Sequence, residues 1–220
     1  MKKINLVKNL HNSSKRNYIQ RMMNNKIKCM EVAKKYSYDY WDGKRDYGYG
    51  GYKYIPGRWN SVAKKIIRIF KLNNKSKILD FGCGKGYLLY EIKLILPEIQ
   101  IHGLDISNYA IKKVPELIKK NIILHDGRKK TKYKKKYFDL VISLGCLHNF
   151  KINEIELAVK EINRIGKKKY IMVESYRNDA ELFNLQCWAL TCQSFFSDDQ
   201  WKFLYKKFKY NGYYEFIHFR

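Results

Sequence analysis

The 220-residue sequence has no apolar run long enough to span a membrane. Its basic N-terminus, MKKINLVKNLHNSSKRNY, lacks the uninterrupted apolar segment of a signal peptide. None of its five cysteines, Cys29, Cys83, Cys146, Cys187 and Cys192, forms a CxxC pair. That excludes the usual zinc and disulfide frameworks, so no metal is expected and a reducing, cytoplasmic compartment is. There is no internal repeat, and the length suits one domain with a terminal extension. Acidic residues are scarce, 20 against 45 basic ones, for a net charge of +25. Only nine of the basic residues are arginine; alanine is also poor, while Lys, Asn, Ile and Tyr, all with A/T-rich codons, are abundant. The charge therefore reads first as composition, and second as a footprint for nucleic acid.

Against these absences stands a clear order of elements. Residues 1–17 carry no period. In YIQRMMNNKIKCMEVAKKY, Ile19, Met23, Ile27 and Met30 recur at helical spacing, which predicts one amphipathic helix. A Tyr- and Gly-rich stretch, RDYGYGGYKYIPGRW (45–59), follows. A second helix starts near Asn60 or Ser61, with Val62, Ile66, Ile67 and Phe70 on its buried face. From KILDF onward, short apolar runs alternate with helical segments through FDLVISL and KYIMVES. Strand–helix alternation with near-continuous apolar strands predicts a parallel sheet with helices on both faces. The tail reads as a helix capped by Ser197 and one last strand near 213–219.

Between KILDF and YLLYEIKLIL lies DFGCGKG, placing Gly82, Gly84 and Gly86 at a strand–helix joint. Such a joint lets a ligand approach the backbone and offers free helix N–H donors. A dinucleotide fingerprint needs glycine at position 87, which is tyrosine; the pattern is DxGxGxG from Asp80. Asp105 ends the next strand, where a carboxylate can take ribose hydroxyls.

The segment resembles motif I of the class I methyltransferases that use S-adenosylmethionine. GLDIS resembles their acidic second-strand end, LHDGR their third-strand end, and FDLVISLGCLHNF their fourth strand and following loop. The resemblance covers residues 77–176 and implies a Rossmann-like α/β three-layer sandwich, mostly parallel, with six or seven strands. The uncertain strand is at the tail, where CQSFF is a candidate. Residues 1–60 would form a helical N-terminal extension with a lid, and 61–220 the cofactor-binding domain. The resemblance also implies that Gly82, Cys83, Gly84 and Gly86 wrap the methionine part of S-adenosyl-L-methionine. Asp80 supports the turn or meets the ammonium, Asp105 binds the ribose, and Asp126 contacts adenine. Ile106, Gly127 and Leu144 complete the cofactor-binding set that the resemblance implies.

Residues for the acceptor sit in the less general segments. His148, a candidate base, and Asn149 follow the fourth strand. Glu174, Tyr176 and Arg177 leave the C-terminal end of the fifth, where open α/β sheets bind ligands. Leu182, Leu185, Trp188, Ala189 and Cys192 fall near one helical face beyond it, in a segment placed to pack on the core or roof a pocket. Cys146 lacks the neighbouring proline of the cytosine carbon-5 enzymes, and the (N/D)PP(Y/F) signature is absent. Tyr49, Tyr52 and Arg58 in the Tyr/Gly stretch are read as a lid over the cofactor. The expected activity is methyl transfer to oxygen or nitrogen of a small or carrier-linked molecule, by a monomer or homodimer. RNA is the alternative acceptor, motivated by GRKKTKYKKKYFD (127–139). A non-catalytic scaffold is a third reading, against which the complete glycine motif speaks.

Overall fold

The computed structural model describes residues 1–12 and 16–220. Seven strands form one sheet: β1 (Lys2–Lys3), β2 (Lys77–Phe81), β3 (Gln100–Asp105), β4 (Ile122–Leu124), β5 (Phe138–Leu144), β6 (Gly166–Glu174) and β7 (Tyr213–Ile217). Their spatial order is β1-β7-β6-β5-β2-β3-β4. Every pairing is parallel. From β2 the chain winds outward through β3 to β4, then returns to β5 and winds the other way. The β2/β5 neighbours are thus the switch point, where the strands' carboxyl ends open a crevice.

Alternation along the strands sorts the core into two layers. Ile78, Leu140, Ile142, Tyr170 and Met172 face one side, covered by α5 (Asn60–Phe70) and α6 (Tyr87–Ile95). Short helices α7 (Asn108–Lys112) and α8 (Glu116–Lys119) close that layer through Val114 and Ile118. Leu79, Phe81, Val141, Ile171 and Val173 face the other side. There they meet α9 (Ile152–Ile165) and α11 (Asp198–Lys207). Ser197 accepts from the Gln200 amide and Gln200 returns the bond, a capping box that fixes where α11 begins. Trp201 in that helix is wholly buried, so truncation to Ala would cost roughly 3–5 kcal/mol. Between β6 and α11 runs α10 (Asp179–Trp188).

The tail and the N-terminus correct two expectations. CQSFF supplies no strand; the edge beside β7 is filled by β1. Residues 1–17, expected to lack structure, are held instead, apart from 13–15, which lie outside the described residues. Leu6 and Val7 are buried, and α1 (Lys8–Asn12) follows them. The wholly buried carboxylate of Glu215 receives the backbone N–H of Leu6 at 2.6 Å, Val7 at 3.1 Å and Lys8 at 2.8 Å. Tyr170 donates its hydroxyl to the same group at 2.5 Å. The boundary expected at residue 60 coincides with the start of α5, yet the segment before it shares the sheet and the core.

The predicted amphipathic helix is two helices, α2 (Tyr18–Met23) and α3 (Lys26–Ala33). Asn25 between them adopts φ 42°, a left-handed conformation that asparagine tolerates and that ends a helix. Cys29 and Ala33 are buried, but Ile19, Met23 and Ile27 are exposed. A helix α4 (Tyr38–Trp41) and a 3-10 turn (Arg45–Tyr47) lead into the Tyr/Gly stretch.

Candidate active site

The turn after β2 is built by its glycines. Gly82 and Gly84 have φ of 85° and 55°, open to glycine at little cost. A Cβ on Gly82 would lie 2.6 Å from Cys146 Sγ, and one on Gly84 2.7 Å from the Trp41 ring. The Gly82 and Cys83 amides donate to Leu104 O, and Gly84 N–H donates to Asp105 Oδ2 at 2.7 Å. The other Asp105 oxygen accepts from Ser107 N–H at 2.8 Å. Burial raises the Asp105 carboxyl, against the pull of these amides. Asp80, at the end of β2, is buried, and its Oδ1 has no hydrogen-bond partner. Burial, reinforced by the Asp105 charge, pushes it up to about 8.

Two cavities meet at this turn. The smaller, about 350 Å³, is lined by Asp105, Ile106, Asp126, Gly127 and Cys146. Asp126 is engaged at both oxygens by Arg128, at 2.8 Å each, and Arg128 bridges on to Glu154. These bonds hold the Asp126 carboxyl below its usual range. The larger cavity, about 510 Å³, runs from Asp80, Gly82 and Gly84 past Leu144, His148 and Glu174 to Trp188. Trp41, Tyr49, Leu144 and Asn149 line both. The Asn149 Oδ1 atom is buried without a partner.

Tyr49 and Tyr52, expected in a lid, line the larger cavity with Gly82 and Gly84, together with Trp41, a residue the sequence pattern does not single out. Trp41 stacks on Tyr49 with centroids 5.2 Å apart, and Tyr49 meets Tyr52 at 4.5 Å. Tyr52 stacks on Tyr87 at the head of α6. Trp41 Nε1 donates to Ser107 Oγ at 2.9 Å. Lys85, inside the glycine motif and nearly wholly buried, fixes this wall. Its ammonium reaches Asp42 Oδ1 at 2.6 Å, Oδ2 at 2.8 Å and Tyr52 O at 2.7 Å. Burial would raise Asp42, but hydrogen bonds from Lys85 and Tyr109 outweigh it and hold the carboxyl low. Further on, Glu91 accepts from Tyr54 OH at 2.7 Å and Gly57 N–H at 3.2 Å. A lysine in a lysine-rich chain gives no signal by type; Lys85 could have been singled out only by its place within the motif.

The acceptor-side residues divide. Arg58, Asn149, His148 and Glu174 line the larger cavity. His148 is buried, and its Nδ1 accepts from Glu174 N–H at 3.2 Å. That bond places the hydrogen on Nε2, which lies 3.4 Å from Glu174 Oε2. Burial lowers the imidazole, with Glu174 opposing, so the ring is neutral at pH 7. Tyr176 and Arg177 are not brought to the cavities. The chain turns at Ser175, which bonds Asp198, and Arg177 is paired with Glu181 in the first turn of α10. Cys146 has its thiol pushed up by burial, which leaves it a packing residue beside Gly82 rather than a nucleophile. Among the described residues no cluster could hold a metal, and no helix is long and apolar enough to cross a membrane.

A doubly wound parallel sheet with a glycine turn and carboxylates at the ends of consecutive strands defines a Rossmann-like nucleotide-type site. Residues 72–212, more than half of the chain, match the family described as "Methyltransferase domain". The chain belongs to that family, and its fold is that of the class I methyltransferases. Among solved structures, the YcgJ protein from Bacillus subtilis is 15% identical, with TM-score 0.53 over 66% of each chain. A chain of the Haloferax volcanii complex containing the Trm112 methyltransferase activator is also 15% identical, with TM-score 0.51 over 70% of this chain and 77% of that one. The [4+2]-cyclase SpnF is 16% identical, with TM-score 0.54 over 68% and 57%. At these identities the likeness is one of fold. No curated protein matches the sequence significantly.

Proposed function

We propose that this methyltransferase moves a methyl group from S-adenosylmethionine to an oxygen or nitrogen of a small or carrier-linked molecule. The observation that carries the reading is the orphaned Asp80 Oδ1, buried beside a glycine cradle that no Cβ would fit. A buried carboxylate oxygen without a donor suits the cofactor's ammonium. Asp105 accepts from the Gly84 and Ser107 amides on different oxygens and retains lone pairs for ribose hydroxyls. Ile106, 46% exposed on the smaller cavity, offers an apolar face for adenine, beside Asp126 and Gly127.

The cofactor supplies a methyl on a sulfonium, open to in-line displacement. The chain aligns the acceptor and takes a proton. The bond from Glu174 N–H occupies the lone pair of His148, so Glu174 carboxylate is the proton acceptor and His148 is the residue that positions it. The Trp41–Tyr49–Tyr52 wall excludes water from the cradle. A cavity of about 510 Å³ suits a small molecule or the end of a carrier-linked one.

Calorimetric titration with S-adenosylhomocysteine tests the reading. Wild type should bind, and Gly84→Val, whose side chain would strike Trp41, should weaken binding by about tenfold or more. Glu174→Gln should keep that affinity yet lose about 100-fold or more in turnover of any accepted substrate. Absence of binding, or Gly84→Val binding as wild type, would sink the proposal.

A further inference from the structure

The larger cavity has a second end. Opposite the glycine turn, the indole of Trp188 closes α10, whose last carbonyls are pinned by Lys26. The Lys26 ammonium donates to Cys187 O at 2.7 Å and Ala189 O at 2.6 Å. Around this one indole gather Arg16, Arg21 and Arg45, their guanidinium carbons 5.4, 5.1 and 5.1 Å from its centroid. Arg58 lines the same cavity.

Two of these arginines, Arg21 and Arg45, spend N–H groups on backbone carbonyls. Arg21 donates one N–H to Arg45 O at 2.6 Å, and its Nε is buried without a partner. Arg45 donates to Gly48 O at 2.8 Å and Tyr49 O at 2.9 Å. These are neutral carbonyls. Among the described residues neither arginine has a carboxylate within 4 Å. The carboxylates lining the cavity are Asp80 and Glu174, the latter turned to His148. Burial, then the neighbouring Arg45 charge, lowers Arg21, and the opposing pull of Asp46 does not outweigh them. An indole attracts guanidinium cations without using their N–H groups, which stay available to a bidentate anion.

We infer that the methyl acceptor carries a phosphate or diphosphate group, held by Arg21 and Arg45 against Trp188 while its reacting atom lies toward Glu174. The inference rests on the methyl-transfer reading for the reacting end only. A single carboxylate carries one negative charge against the two guanidiniums of Arg21 and Arg45; a phosphoryl group carries near two negative charges and three acceptor oxygens to match their forks.

Inorganic pyrophosphate and succinate are the probes, titrated at constant ionic strength into wild type, Arg21→Gln, Arg45→Gln and the surface control Lys134→Gln. Pyrophosphate should bind wild type at least about tenfold more tightly than succinate. Either arginine variant should weaken pyrophosphate by about tenfold or more, and Lys134→Gln by less than about twofold. Pyrophosphate binding that survives both arginine variants is held by surface lysines and overturns the proposal, as does equal affinity for succinate or no binding at all. Because Arg45 also supports the Tyr49 loop, Arg21→Gln decides if Arg45→Gln does not fold. Parallel titrations with S-adenosylhomocysteine separate the two readings. Cofactor affinity should stay within about threefold in Arg21→Gln. Pyrophosphate binding without cofactor binding in wild type would remove the methyl-transfer reading and leave the anion site standing.

Discussion

Asp80 shows what a single buried carboxyl costs the fold. Its carboxyl is raised from an ordinary 3.8 to about 8, so the folded chain holds the proton more tightly than the unfolded one. The associated stability is present below about pH 4 and is lost as pH rises toward 8. Asp80→Asn removes the charged form. Its melting temperature should exceed wild type at pH 8.5, by a stability difference on the order of 3 kcal/mol, and match it near pH 4, while cofactor affinity falls. A wild-type melting curve flat across that window would refute the assignment. Asp80, Asp105 and the three glycines were legible in the sequence because their spacing is set by the backbone turn itself. Lys85, Asp42 and Arg21 were not, because their roles depend on partners far along the chain. Tyr176 and Arg177 were misplaced for the converse reason: they follow a strand end, as ligand-binding residues do, but the chain turns away at Ser175.

Among the elements, the Tyr/Gly stretch contributes Tyr49 and Tyr52 to the cavity that opens on the glycine turn. The sequence did not disclose how firmly it is tied. Tyr49, Gly51 and Tyr52 amides bond to the carbonyls of Tyr40 and Trp41, and Lys85 draws Tyr52 and Asp42 together. Breaking this pair should cost about 2–3 kcal/mol, below the figure for a fully buried pair because Asp42 keeps some contact with water. In Lys85→Met, hydrogen exchange at Tyr49–Tyr52 should speed by about 10- to 100-fold while the strand amides keep their protection. Uniform acceleration, or none, would mean the wall is held by ring packing alone. The α2–α3 segment marks the limit of periodicity. The spacing of Ile19, Met23 and Ile27 predicts one buried face, but the helix breaks at Asn25 and all three side chains are exposed, because nothing in the period says where a helix ends or what covers it.

On the scale of the molecule, the order of strands and helices from β2 onward was legible, since buried parallel strands and amphipathic helices write their periods locally. The outer edge was not. A two-residue strand has no period, and Glu215 finds its donors more than 200 residues away. Deleting residues 1–7 would leave that buried carboxylate with Tyr170 and few other partners. The melting temperature should fall by on the order of 6–12 °C, and Glu215→Gln, which keeps an acceptor oxygen, should lose less. Equal melting of the truncated and intact chains would show that the edge contributes nothing. The same edge bears on how the enzyme is made. Val7 and Leu10 line the larger cavity beside Ile217 and Phe219, so the cavity joins stretches more than 200 residues apart in the chain. A nascent chain can fold its glycine turn early, but it cannot close this cavity around an acceptor until residue 219 has emerged. Synthesis therefore sets the moment at which the pocket first exists.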